Sequence, residues 1–243
     1  MIKYYVPGIK VANYVTYLLL LLFFSLPAAH ATSESVWIQS IMNGDGNEPS
    51  TKETNEQRLE EADAYIQQGS LNPVVWYLRG GFGFGRRYYY QIGLLKEGKP
   101  YLLNAPKNQA LIEDYQSYYR KALDLNEAVD APEHLTVEML GTMADDVLAA
   151  PDIKERGYKK SIALAQAGKA DVESGRFEYE TYQFLLESYS AQKNPDKYLE
   201  TLNEMIERFG SSEELEGYKR HVETVIEQRD RKAALEASKV VAK

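Results

Sequence analysis

Beyond residue 53 the apolar positions return at intervals of three and four, the signature of helices that bury one face. Leu59, Ala62, Tyr65 and Ile66 form one such series, and Leu215, Tyr218, Val222 and Val225 form another. No stretch alternates apolar with polar residues as a half-buried strand does. The residues between these series punctuate helices. Thr54-Asn55-Glu56-Gln57 reads as a capping box, in which the Thr hydroxyl and the Gln side chain satisfy N–H groups left open at a helix start, and Gly69 suits the stop. Asn72-Pro73 and Asn194-Pro195 each set a capping Asn before a Pro at the first helical position, where the missing N–H costs nothing. Ser211-Ser212-Glu213-Glu214 is a further capping box. The pattern predicts an all-α chain whose short helices come in pairs.

The first 31 residues follow a different pattern. Lys3 and Lys10 precede a nearly unbroken Leu and Phe run from Leu18 to Leu26, and Ala29-His30-Ala31 after Pro27 matches the small-x-small cleavage site of a signal peptide. The run is short of the about 20 residues a bilayer span needs. Residues 1–31 are therefore expected to be a signal peptide cut after Ala31, sending the mature chain to the periplasm or outside the cell. An uncleaved anchor through Val11 to Ala29 is the alternative, and the one route to membrane contact. Residues 32–53, rich in Ser, Thr, Asn and Gly, read as a flexible linker holding a small apolar island from Val36 to Met42. That island is expected either to tuck onto the body or to dock elsewhere. Residues 54–243 form the expected helical domain.

The helical pairs carry a repeat. From Tyr182, Leu185 and Leu186 follow at three and four residues, Tyr189 at seven, Tyr198 at sixteen, Leu202 at twenty and Met205 at twenty-three, and Gly210 ends the unit. A second, partial unit begins at Asn72-Pro73 with Trp76 and Gly80, and its second helix follows only at Tyr115 to Asn126. About twenty residues are inserted between its halves, centred on Gly98 to Asn108. These units resemble the tetratricopeptide repeat, whose pattern is W-x2-L-G-x2-Y, then A-x3-F, then P. Leu186 stands where the family has a small residue, Tyr198 where it has Ala, and Gly210 where it has Pro. The likeness covers residues 54–126 loosely and 179–210 more fully, while 132–174 is helical without fitting a unit. It implies antiparallel helix hairpins stacked into a short α-solenoid, with a capping C-terminal helix and a protein or peptide bound on the concave face. The family's carboxylate-clamp version uses Lys and Asn on first helices. Here the matching surface offers Tyr77, Gly81, Gln183 and Glu187, so that version is not implied.

Composition narrows the chemistry. The chain has no cysteine, so neither a thiol nucleophile nor a disulfide is available, and the 212 residues after Ala31 must stand on their own core. Removing the leader takes away two lysines and no acid, which moves the net charge from −8 to −10. Such a protein is a poor partner for nucleic acid or an anionic membrane surface. His134 and His221 lack ligand spacing, no GxSxG or P-loop occurs, and Asp45 to Glu48 lacks the alternating ligands of a calcium loop. Asp145-Asp146 and Glu213-Glu214 are helical neighbours that point in different directions. No catalytic residue, cofactor or metal is expected.

One segment stands apart. Arg79, Gly80, Gly81, Phe82, Gly83, Phe84, Gly85, Arg86, Arg87 and Tyr88 to Tyr90 crowd four glycines, three arginines and three tyrosines into twelve residues. Each glycine inside a helix costs about 1 kcal/mol against Ala. Close helix crossing, an open loop presenting Phe82 and Phe84, or direct approach of a ligand would each explain them. The arginines either pair with the protein's own acids or receive an acidic group of a partner. Arg79, Phe82, Phe84, Arg86, Arg87 and Tyr88 are the candidate partner-binding residues. The expected function is an exported adaptor or scaffold for a protein or peptide, without catalysis of its own. A cell-envelope enzyme on a helical scaffold, and an immunity or inhibitor protein for an exported toxin, are the alternatives.

Overall fold

The computed structural model describes residues 34–43, 51–100, 103–128, 130–168 and 174–241, and every regular element among them is a helix. The signal-peptide reading of residues 1–31 and the segment from Asp45 to Glu48 lie outside the described residues. The chain divides into two compact units, Met1–Gln57 and Arg58–Lys243.

In the first unit the apolar island forms a helix, α1 (34–42), inside the stretch expected as linker. Helix α2 (Lys52–Gln67) crosses the boundary between the units. It starts two residues before Thr54, because the Thr51 hydroxyl, at 3.1 Å, accepts the Thr54 N–H and takes over the capping role expected of Thr54. It stops as predicted. Gly69 adopts φ +89°, and the N–H groups of Gly69 and Ser70 donate back to the carbonyls of Ile66 and Tyr65 at 3.0 and 3.1 Å.

The second unit continues with α3 (Pro73–Lys96), α4 (Pro106–Asn126), α5 (Val137–Asp145), α6 (Pro151–Gln166), α7 (Ser174–Ala191), α8 (Pro195–Phe209) and α9 (Glu213–Val241). Three of these starts carry the expected caps. Asn72 Oδ1 accepts the Val74 N–H at 3.0 Å, Asn194 Oδ1 accepts that of Lys197 at 3.2 Å, and Ser212 Oγ accepts that of Leu215 at 3.2 Å. Packing follows chain order. Helix α3 lies on α4, each helix from α5 to α9 lies on the next, and α4 also meets α6. The apolar series that begins at Tyr182 faces inward: Tyr182, Leu185, Leu186 and Tyr189 of α7 are buried with Leu202 and Met205 of α8. Tyr158 and Ile162 of α6 close this core from one side and Leu215 of α9 from the other.

The insertion expected between the halves of the partial repeat at Asn72-Pro73 is entered by helix from both sides, and its described residues 97–100 and 103–105 are non-helical. Helix α3 runs for 24 residues, Gly98 turns its end at φ +70°, and α4 already begins at Pro106. Asn108, expected inside the insertion, is fully buried in the first turn of α4.

Helix α9 departs from expectation in its seam. Leu215 and Val222 are buried, whereas Tyr218 and Val225 are 47% and 40% exposed. Among the described residues, α8 makes the extensive packing on α9, and the side of α9 that carries Tyr218 and Val225 is left partly open. Among the described residues, no helix is long and apolar enough to cross a membrane.

Candidate functional site

Where α9 is left partly open, a groove lies between it and α7. On α7, Tyr179, Gln183, Glu187 and Ser190 recur at steps of four, four and three, which sets them on one helical face. On α9, Glu214 and Tyr218 stand four apart. These six residues line a hollow of about 490 Å³ whose buried members are Leu186, Met205 and Leu215. A second hollow, of about 440 Å³, shares Ser190, Tyr198 and Tyr218 with the first. It continues towards Pro195, Val222 and Val225. The two make one groove along α9.

The hollows differ in charge. The first is lined by the carboxylates of Glu187 and Glu214 and by no basic side chain. Lys193, His221 and Arg229 line the second, which has no acid. Arg229 is partly committed, since its Nη2 donates to Asp196 Oδ1 at 3.0 Å. Tyr198 and Tyr218 of the first hollow hold their protons firmly. The Tyr218 hydroxyl donates to Glu214 Oε1 at 3.0 Å, and that bond and charge raise its pKa above the usual phenol value. Burial raises that of Tyr198, and the charge of Glu187 adds to the effect. Both rings are neutral at physiological pH, and their faces are electron-rich.

The α7 wall is pinned from behind. Glu178, next to Tyr179, is 1% exposed, and a carboxylate buried that deeply needs partners. Arg208 of α8 supplies two of them, Nε to Oε1 at 3.0 Å and Nη2 to Oε2 at 3.2 Å, and Gln166 Nε2 of α6 donates to Oε1 at 2.9 Å. Lys197 of α8 reaches Glu155 of α6 at 2.6 and 2.7 Å. Burial acts to raise the pKa of Glu155, but the Lys197 hydrogen bond and charge outweigh it and leave the carboxyl below its ordinary value. Helices α6, α7 and α8 are thereby locked together behind the groove.

The candidate residues of the glycine and arginine segment all lie on α3, within a continuous helix. The open-loop explanation of the glycines is therefore incorrect. A Cβ on Gly80 would stand 2.4 Å from the Tyr119 ring, and one on Gly83 would stand 2.9 Å from Tyr115 Cβ, so these two glycines let α3 and α4 cross closely. Gly81 meets nothing within 4 Å.

The arginines sort by face as well. Arg79 is buried; its Nε donates to Asp63 Oδ1 at 2.6 Å, its Nη1 to Asp114 Oδ2 at 3.2 Å, and its guanidinium lies 4.0 Å from the Tyr118 ring centre. Arg87 is also buried, and its Nε shares Asn108 Oδ1, at 3.0 Å, with Gln91 Nε2 at 2.7 Å. Both guanidinium groups are thus bonded within the protein, the internal-pairing side of the two readings the sequence left open. Phe82 and Arg86 are half-buried, and each has an interaction of its own. Phe84 and Tyr88 are exposed, with Phe84 packed edge-on to Tyr115 and Tyr88 edge-on to Tyr89.

Other sequence candidates disperse. Asp145 accepts from the Tyr158 hydroxyl at 2.9 Å and Asp146 from that of Tyr115 at 2.6 Å, so the adjacent acids serve two separate bonds. His134 and His221 are exposed, and among the described residues no group of three or more His, Asp or Glu is placed to hold a metal. Of the groove residues, Gln183 and Glu187 were legible from the repeat register. Tyr218 and Val225 were read as a packing seam, because spacing marks an apolar face without telling what covers it. No family model, curated protein or solved structure matches the chain.

Proposed function

We propose that the chain is an exported adaptor that holds a segment of a partner protein in the groove between α7 and α9, with no catalytic activity of its own. The observation that carries this is the continuous groove in which Gln183 and Glu187 of α7 face a side of α9 left open at Tyr218 and Val225. The scaffold reading, a tetratricopeptide-like α-solenoid, is supported by packing in chain order and by the burial of Tyr182, Tyr189, Leu202 and Met205 in the repeat register. The family's concave face then corresponds to the stripe through Gln183 and Glu187. Phe84 and Tyr88 lie outside the groove.

Affinity capture from the cell envelope, read by quantitative mass spectrometry, tests the reading when wild type is compared with a Gln183→Arg, Tyr218→Ala double variant. Both residues are exposed, so the melting temperature should hold within a degree or two while the captured partner falls several-fold. Equal capture by both proteins would remove the groove from the function. Export is tested separately by sequencing the N-terminus of envelope protein, where Thr32 is expected and a retained Met1 would contradict cleavage.

A further inference from the structure

Charge and aromatic lining together say what kind of segment the groove takes, an inference that rests on the adaptor reading. We propose that the α7–α9 groove binds an extended protein segment carrying lysine or arginine, with the cationic side chain seated among Tyr179, Tyr198 and Tyr218 against the carboxylates of Glu187 and Glu214. Those tyrosines and acids line one hollow in which no basic residue stands. The phenols of Tyr198 and Tyr218 are held protonated, so the rings offer neutral, electron-rich faces of the kind that attract ammonium and guanidinium groups. An acidic segment or a C-terminal carboxylate would meet two like charges there and no compensating cation. The long methylene stem of Lys or Arg suits the apolar floor at Leu186 and Met205.

Groove length favours a polypeptide over a small polycation. The lining of the two hollows runs on α9 from Glu214 to Arg229, which at the rise of an α-helix is roughly 22 Å. The far hollow sets the apolar Pro195, Val222 and Val225 beside Lys193 and Arg229, which disfavour a second cation there. A basic residue followed a few positions later by an apolar one would fill both hollows.

Selection of a random twelve-residue phage-displayed library on the full chain tests this, with enriched sequences resynthesised as free peptides. The expected winners carry Lys or Arg near an apolar residue. Their affinity should fall about tenfold for a Glu187→Gln, Glu214→Gln double variant at low salt, a few-fold for each exposed charge contact, and less at high salt. Circular dichroism melts of the variant should match wild type, which separates lost charge from lost fold. Neutral or acidic winners that lose binding to a Tyr218→Ala variant would overturn the basic segment and leave the adaptor reading standing. Winners indifferent to all three substitutions, or none at all, would overturn both. Spermidine matching the best peptide in affinity would make the occupant a small polycation and overturn the polypeptide.

Discussion

The α3–α4 pair and the α7–α9 groove use the same materials, tyrosine and charge, to opposite ends. In α3–α4 the side chains missing at Gly80 and Gly83 let the helices meet, and Arg79 is matched internally by Asp63 and Asp114. In α7–α9 the helices stand apart, and Tyr218, Gln183 and Glu187 line open space. The segment most conspicuous in sequence is thus largely devoted to closing the protein. The surface proposed to receive a partner comes from ordinary residues spaced three and four apart. Clustering of unusual residues signals constraint, and constraint arises from tight packing at least as readily as from binding.

The contrast breaks most visibly if tyrosines are exchanged for alanine in each region. Tyr115 is fully buried and its hydroxyl is bonded to Asp146, so Tyr115→Ala should lower unfolding free energy by about 3–5 kcal/mol. Tyr218→Ala, at a half-exposed groove position, should change it by less than about 0.5 kcal/mol. Denaturant titrations of the two variants measure both, and similar values would erase the distinction between closed and open regions.

Adjacent glycines sharpen the same point. Gly80→Ala drives a methyl group into the Tyr119 ring and should destabilise by about 1–3 kcal/mol. Gly81→Ala meets open space on the same helix and should stabilise by up to about 1 kcal/mol through helix propensity. Opposite signs in melting experiments are the expected result; a shared sign would mean that the α3–α4 crossing is looser than described.

The smallest effect concerns the ion pairs of the scaffold. Arg120 lowers the pKa of Asp152, and Lys197 lowers that of Glu155 against the effect of burial. Carboxyls depressed in the folded state add stability above their unfolded values, near pH 4, and that stability is lost as pH falls through the folded values. Melting temperature should therefore be nearly flat from pH 8 to about pH 5 and should decline below about pH 4, with each half-exposed pair contributing no more than about 1 kcal/mol. An Asp152→Asn, Glu155→Gln variant should show a shallower decline.

Local chemistry made much of the fold legible. Asn72, Asn194 and Ser212 cap the helices they were expected to cap, because capping involves only residues a few positions apart. The inward register from Tyr182 to Met205 was equally visible, since a 3.6-residue period reveals which side chains share a face. Facts set by a second element were not visible. Whether Gly80 or Gly81 meets a neighbour depends on where α4 crosses, and whether Tyr218 is core or groove depends on how many helices cover α9. Thr51 displaced Thr54 as the cap of α2 because both hydroxyls precede a run of good helix formers, and the sequence does not choose between them. The burial of Asn108 was hidden for a similar reason, since it depends on Arg87 and Gln91 of the partner helix α3.

Site-specific photo-crosslinking in the cells that make the protein tests the central claim most directly. A benzophenone amino acid would replace Gln183 in the groove or Tyr88 on the exposed face of α3, both at surface positions that leave the fold intact. If the groove is the binding surface, Gln183 should yield a discrete adduct that disappears with Tyr218→Ala, and Tyr88 should yield none. An adduct from Tyr88 with none from Gln183 would contradict the account and return the binding role to α3.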